Sequence, residues 1–477
     1  MEKIYDVLIF GAGVVGSCIA SDLARSGYSV CLVDKASDVS TGASKANSGL
    51  VHAGFDAKPG TLKAKLNVEG NKMYPSVCKR LGLPLRKLGA VVIGNNKNTV
   101  NELYARGLEN GVKNLFVLSR DELLKILPNI TENVTCGLLA KDAYVVCPYL
   151  LTICLAEEAI LNGATVLLEF DANKIRKNNG VFEISDGKTT VFAKKVINSA
   201  GAGVNQIAKL LGTETYDIQF KRGEYFVLEQ SEAHIAPVTV FPLPEKGSKG
   251  ILITQTLDQN ILVGPTSYES DDSTKTTRDG LNLVAEKSGL LLSNVNLRKS
   301  IRQFSGVRTI CGDDFVIEQS KIDSNILTLA GICSPGLSSA PAISKYAIEK
   351  MGLKFNPTIK NKQIEPYFLF KNLKNAEKEQ LLAKDHTYGE LVCKCENITK
   401  GDILFALNRP LKICSVDGIK RRVRAGMGRC QGGFCSLPVA EIIAKARKVP
   451  IEKVLKENKN SNLFVYQIRG GENNGNL

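Results

Sequence analysis

The 477 residues predict an α/β protein in three units: a parallel α/β domain that opens the chain, a more antiparallel α+β domain that interrupts it, and a small cysteine-bearing unit near the C-terminus. Three observations predict this. The chain opens as strand, glycine turn, helix, strand; strand-rich and helix-rich stretches then alternate as far as residue 351; and five of the thirteen cysteines fall between Cys393 and Cys435. The length exceeds what one hydrophobic core usually serves.

Tyr5 to Phe10 reads as the first strand, followed by Gly11-Ala12-Gly13-Val14-Val15-Gly16, a helix to about Ser26 and a second strand from Tyr28 to Val33. Gly11, Gly13 and Gly16 form a GxGxxG turn, with Asp34 closing the second strand. Glycines let backbone amides approach a pyrophosphate at a helix N-terminus, and the acidic residue can accept hydrogen bonds from ribose hydroxyls. This is a Rossmann-like dinucleotide unit; the alternative is a glycine turn in an unrelated βαβ unit. The motif alone does not separate FAD from NAD.

Further strands are predicted at Ala90–Ile93, Thr165–Glu169, Lys195–Asn198, Glu224–Leu228, Ile261–Val263 and Ile326–Ala330, and helices at Cys147–Asn162 and Pro341–Met351. Residues 354–385, rich in Lys, Asn and Glu, read as a connector with one polar helix. The cysteine unit spans 386–447, and 448–477 is a tail.

The formal charge of +14 is uneven: from Lys354 onward there are 23 Lys and Arg against 12 Asp and Glu, leaving the first three quarters of the chain close to neutral. The basic run Lys420–Arg424 lacks interleaved aromatics, so no nucleic-acid partner is expected. A positive surface for an acidic electron carrier or an anionic cofactor fits better. Met1-Glu2-Lys3 leads straight into the first strand and no apolar run of about 18 residues occurs. The expectation is a cytoplasmic protein without a secretory signal or membrane span, with peripheral membrane association left open. Its cysteines are reduced or metal-bound: eight in the core and four, Cys393, Cys395, Cys430 and Cys435, as metal ligands, with Cys414 packing between them.

The segment Thr41-Gly42-Ala43-Ser44-Lys45-Ala46-Asn47-Ser48-Gly49-Leu50-Val51-His52-Ala53-Gly54 resembles the pyrophosphate and isoalloxazine loop of the D-amino-acid-oxidase-like flavoproteins, and within them the glycerol-3-phosphate and L-2-hydroxyglutarate dehydrogenases. Pro59–Ala64, Asn198–Ala202, Arg222–Tyr225, Val263–Thr266, Ser305–Arg308 and Gly331–Leu337 continue the resemblance to about residue 350. It implies FAD as cofactor, held by Gly11, Gly13, Gly16, Asp34, Ser44, Asn47, Ser48, Gly49, Ala200, Gly201, Gly331, Gly336 and Leu337. FAD-binding parts would lie at about 1–80, 145–210 and 305–353, and substrate-binding parts at about 81–144 and 211–304. The helix opened by Ser334-Pro335-Gly336-Leu337 could steady negative charge on the reduced flavin.

Oxidising an alcohol by hydride transfer also needs a base for the hydroxyl proton and a cation for an anionic substrate. Arg308 is the first candidate to grip carboxylate or phosphate, because guanidinium binds either bidentately; a structural salt bridge is its alternative. His52 could act as base or merely support the flavin. Arg222 and Lys249 are secondary anion-binding candidates, or ordinary exposed cations. His234 and His386 are read as surface residues.

Cys393-Lys394-Cys395 and, after 34 intervening residues, Cys430-Gln431-Gly432-Gly433-Phe434-Cys435 supply four thiolates in a CxC plus CxxxxC pattern. Four sulfurs suit zinc or iron–sulfur, though zinc usually takes CxxC twice. The segment resembles the bacterioferritin-associated-ferredoxin-like domain, which implies a small helical fold and a 2Fe-2S cluster. The resulting expectation is an FAD-dependent dehydrogenase that oxidises sn-glycerol 3-phosphate to dihydroxyacetone phosphate and passes electrons through the cluster to an acceptor protein or partner subunit. Alternatives are L-2-hydroxyglutarate or another 2-hydroxy or amino acid as substrate, a nicotinamide-dependent enzyme, or a non-catalytic flavin scaffold with an iron–sulfur docking or sensing module.

Overall fold

The structure is a computed structural model describing residues 3–244, 250–271 and 273–464. The chain forms two compact units: one runs to Lys35 and resumes over Val39–Pro366, the other comprises Ala36–Asp38 and the chain from Tyr367.

The first unit is built on an eight-stranded sheet. Ile4–Phe10 is central, flanked in parallel by Thr190–Asn198 and Val30–Val33, with Thr165–Leu167 beyond the latter. The long strand Thr190–Asn198 pairs along its first half with the hairpin Lys174–Asn178/Val181–Ser185 and along its second half with Ile326–Ala330. Val7, Leu8, Ile9, Val30, Cys31 and Leu32 are all completely buried, the continuous apolar run expected of parallel strands covered on both faces. Helix Val14–Arg25 packs against Pro148–Leu161 and Gly336–Lys350, and Leu62–Arg80 packs on the last of these. The last helix starts five residues before the predicted Pro341, which lies inside it near the N-terminal end.

The same unit contains a nine-stranded sheet in which every neighbouring pair is antiparallel except Thr239–Pro242 with Ala90–Gly94. Strand alternation divides it into two apolar faces. Val91, Ile93, Phe226, Val240, Ile253 and Val263 point into one core, and Ala90, Val92, Phe241 and Leu252 into the other. Gln219–Leu228 and Ser300–Ile310 pair over almost their whole length. Each predicted strand exists: Ile326–Ala330 has the predicted ends, and the others have at least one end shifted, as where Glu224–Leu228 begins five residues earlier at Gln219.

The second unit packs helices Lys400–Leu407, Val416–Val423 and Ser436–Arg447 around Ile403, Leu407, Ile419, Val423, Val439 and Ile443. It begins earlier than a connector to 385 would allow. Tyr367 and Phe368 pack on Phe405, and the Phe370 amide donates to Asp402 Oδ1 at 2.8 Å, so a half-buried aromatic run hidden in a polar stretch packs on this unit. It also ends later, since Val454 is fully buried in it. Asp38 is completely buried in this unit: Arg421 donates to it at 2.9 Å and Arg422 at 2.8 and 3.0 Å. No helix among the described residues is long and apolar enough to cross a membrane.

Candidate active site

The glycine turn is a close-packed junction. A Cβ at Gly16 would strike the Gly11 carbonyl oxygen, so only glycine lets the first helical turn sit this near the strand end. The Ala12 amide donates to Asp34 Oδ2 at 2.7 Å, so Asp34 fixes the turn itself in addition to standing where ribose binding was expected. Gly13 caps helix Val14–Arg25 without a side-chain bond, and Ser44 Oγ accepts from the Val14 amide at 2.9 Å. Ser44, from the loop after the second strand, therefore lies at the helix N-terminus where a pyrophosphate would be met. Ser199 closes the other side by donating to the Phe10 carbonyl at 2.7 Å, bringing Ala200 and Gly201 beside the turn.

Asn47 spends its side chain on the loop: its amide nitrogen donates to the carbonyls of Ala43 and Ser44, and its oxygen accepts from the Gly49 amide at 2.8 Å. Ser48 and Gly49 follow in that turn, with Gly49 against the Val146 carbonyl. His52 lies at the second helix N-terminus, its amide donating to Ser338 Oγ at 2.8 Å. Its carbonyl accepts from Asn67 and Asn71. No side chain caps helix Gly336–Lys350; Gly331 precedes it and the Leu337 carbonyl accepts from Tyr74 at 2.5 Å. The residues present fit a dinucleotide flavin: one helix N-terminus beside Ser44 for phosphate, another beside the His52 loop for the ring.

The nine-stranded sheet supplies the opposite wall. Phe241, Leu252, Gly264, Tyr225 and Phe304 form one cross-strand row on a single face, following the registers Val240↔Ile253, Leu252↔Gly264, Phe226↔Val263 and Tyr225↔Phe304. The His52 ring lies 5.8 Å from Phe241 at one end, and Tyr225 stacks on Phe304 at 4.8 Å at the other. Arg308 is on this face, four residues along the strand from Phe304, and donates to the Thr266 carbonyl at 2.6 Å. Gly306, between them in the alternation, touches the flavin loop: a Cβ there would collide with the Ala46 carbonyl oxygen. Burial pushes the Tyr225 phenol up to about 12 against the pull of Arg308, so it is neutral and can donate a hydrogen bond.

Arg222 is not brought to this site. It pairs with Val307, so it points to the other face, where its guanidinium meets the buried Glu224 carboxylate at 3.1 Å. Lys249 lies outside the described residues. His234 and His386 are exposed, as expected. Tyr225 was not among the expected site residues: alternation puts it on one face with Gly223, but only the pairing Tyr225↔Phe304 makes that the face of Arg308.

The four cysteines of the second unit form two pairs. Cys393 hydrogen-bonds with Cys435, which pushes the Cys393 thiol down to about 6 despite burial, with help from the amides of Gly426 and Glu396; the same bond and burial push Cys435 up. Cys430 is lowered by the amides of Phe434, Gly432 and Gly433 and by Cys395. Among the described residues no three His, Cys, Asp or Glu side chains group as a single ion would need. Together the two thiol pairs supply the four thiolates that a 2Fe-2S cluster takes.

Residues 6–350 match the family described as FAD dependent oxidoreductase, and residues 391–445 match the BFD-like 2Fe-2S binding domain. The chain belongs to the first family, that of the D-amino-acid-oxidase-like flavoproteins, and its cofactors are FAD and a 2Fe-2S cluster. It is 38% identical over 467 residues to the glycerol 3-phosphate dehydrogenase of Caloramator mitchellensis, covering 96% of this chain and 97% of the relative. It is 26% identical to the mitochondrial L-2-hydroxyglutarate dehydrogenase of Arabidopsis thaliana, over 72% and 83% of the two chains. Among solved structures, dithionite-reduced L-alpha-glycerophosphate oxidase from Mycoplasma pneumoniae with FAD bound superposes with a TM-score of 0.73 at 29% identity, covering 77% of this chain and 100% of that one.

Proposed function

We propose that this oxidoreductase converts sn-glycerol 3-phosphate to dihydroxyacetone phosphate, with Arg308 on the phosphate and His52 on the reacting hydroxyl. The observation that carries the reading is the shared face of Gly306 and Arg308: the strand that meets the flavin loop at Ala46 presents a guanidinium two residues on. When bound, FAD supplies a two-electron hydride acceptor and the 2Fe-2S cluster, on Cys393, Cys395, Cys430 and Cys435, a one-electron exit.

Arg308, braced by Thr266, offers its remaining donors to an anion. The His52 ring, propped by Phe241, accepts the hydroxyl proton, and the neutral Tyr225 phenol can donate to a substrate oxygen. The apolar row Phe241–Phe304 keeps water from the carbinol carbon. The relative named a glycerol 3-phosphate dehydrogenase is matched over 96% of this chain, cysteine unit included, which favours this substrate over L-2-hydroxyglutarate. An acceptor protein rather than oxygen agrees with the cysteine pairs.

Anaerobic protein mixed separately with glycerol 3-phosphate and L-2-hydroxyglutarate should lose its flavin bands with the first alone. Bleaching by the second alone would transfer the assignment. A flavin unmoved by both would overturn it and favour a non-catalytic scaffold.

A further inference from the structure

The cysteine unit is asymmetric about its two thiol pairs. Cys393 and Cys435 are 0% and 2% exposed, whereas Cys395 is exposed and Cys430 half-buried, so the second pair is the outer one. The residues bordering this outer pair project outward. Lys394 precedes Cys395, Arg429 precedes Cys430, and both are exposed. Phe434, whose amide donates to the Cys430 sulfur, is 85% exposed, and Leu437, three residues on, is 50% exposed. A phenylalanine left in water beside a redox site gains nothing for the fold.

Along the stretch that carries the cysteines the exposed charge is positive. Between Cys393 and Leu437 the acidic residues are Glu396, Asp402 and Asp417, and all three are turned inward: Glu396 to Arg424 and Lys371, Asp402 to Thr399 and Phe370, Asp417 to Lys456. Lys394, Lys412 and Arg429 are exposed over the same stretch. A second copy of this chain would bring like charges together, and an anionic membrane calls for a denser basic cluster than three cations.

We propose that this face docks a small acidic electron-carrier protein, with Phe434 seated in the carrier and Lys394 and Arg429 steering it. The inference rests on the reading that the four cysteines hold the cluster. Oxidising one secondary alcohol to a ketone releases two electrons and two protons, so each turnover reduces two one-electron carriers.

Binding is measured first, with both proteins oxidised, by titrating the holoenzyme with rubredoxin, a small acidic one-electron iron protein, in a calorimeter at low and high salt. Wild type should bind in a salt-dependent manner, Phe434→Ser should weaken binding about tenfold or more, and Phe434→Leu should restore part of it. The Lys394→Glu/Arg429→Glu pair should abolish binding. Visible spectra verify cluster content; if Phe434→Ser loses the cluster, Phe434→Leu and the charge-reversed pair decide.

Dithionite-reduced, desalted enzyme is then mixed with oxidised rubredoxin, which tests electron delivery even if glycerol 3-phosphate fails to bleach the flavin. No salt-dependent binding by wild type, or equal binding by wild type and variants, overturns the proposal. So does self-association lost in Phe434→Ser, or Phe434-dependent binding to phosphatidylserine vesicles without rubredoxin binding.

Discussion

Replacing Asp38 by alanine removes the carboxylate shared by two buried guanidiniums. The side chains of Asp38 and Arg422 are 0% exposed and that of Arg421 is 5% exposed. Breaking a buried pair by deleting one partner costs ~3–5 kcal/mol. Arg421 keeps Glu457 at 2.7 Å, so the loss falls mainly on Arg422 and the lower end, about 3 kcal/mol, is expected. At ~4–8 °C per kcal/mol for a domain of this size, unfolding of the C-terminal unit should come ~12–24 °C earlier. Cluster absorbance followed during heating reports that transition. A fall of only a few degrees would refute the idea that Asp38 is structurally required. The sign with pH is also fixed. Burial raises the Asp38 pKa, but Arg422 and Arg421 outweigh it and hold the carboxyl below its usual range. Its contribution is therefore complete above the unfolded value of about 3.9 and lost as pH falls through the lower folded value. Asp38→Asn should remove that acid-side loss while lowering stability at neutral pH.

Arg308→Gln should lower kcat/KM for glycerol 3-phosphate about 30-fold, equivalent to ~2 kcal/mol of charge-assisted hydrogen bonding, whereas Arg222→Gln should leave KM nearly unchanged and lower the melting temperature by exposing Glu224 to an unpaired burial. Equal KM effects from both would contradict the two-face arrangement. Gly306→Ala must displace the loop at Ala46, so FAD affinity, read from flavin fluorescence on release, should fall about tenfold or more; unchanged retention would show that this loop does not carry the flavin.

The dinucleotide unit was legible because each of its signals is local: the glycine spacing, the apolar strands and Asp34 lie within one short stretch. The cysteine pattern was legible for the same reason, although only folding shows which thiol stands beside which. Arg222 could not be sorted from Arg308 by motif, since both sit in matched segments; the register of two strands some eighty residues apart decides it. The polar composition of 354–385 concealed Tyr367, Phe368 and Phe370, whose burial depends on Phe405 and Asp402 beyond them. Nothing near Asp38 announces that its partners are Arg421 and Arg422, because the contact spans nearly the whole chain.

The pairing of Gln219–Leu228 with Ser300–Ile310 makes the site depend on parity. Side chains change face at every residue, so one residue inserted between Phe304 and Gly306 would turn Arg308 toward Glu224 and bring Val307 to the flavin side. Two inserted residues would restore the side and only slide the charge along the strand by ~7 Å. The strand does carry an irregularity, between Val227 and Leu228, but it falls beyond Phe304 and leaves the count from Phe304 to Arg308 intact. Length variation is thus harmless at the far end of this ribbon, whereas at the near end an odd step reverses the sign of the chemistry and an even one only changes its reach.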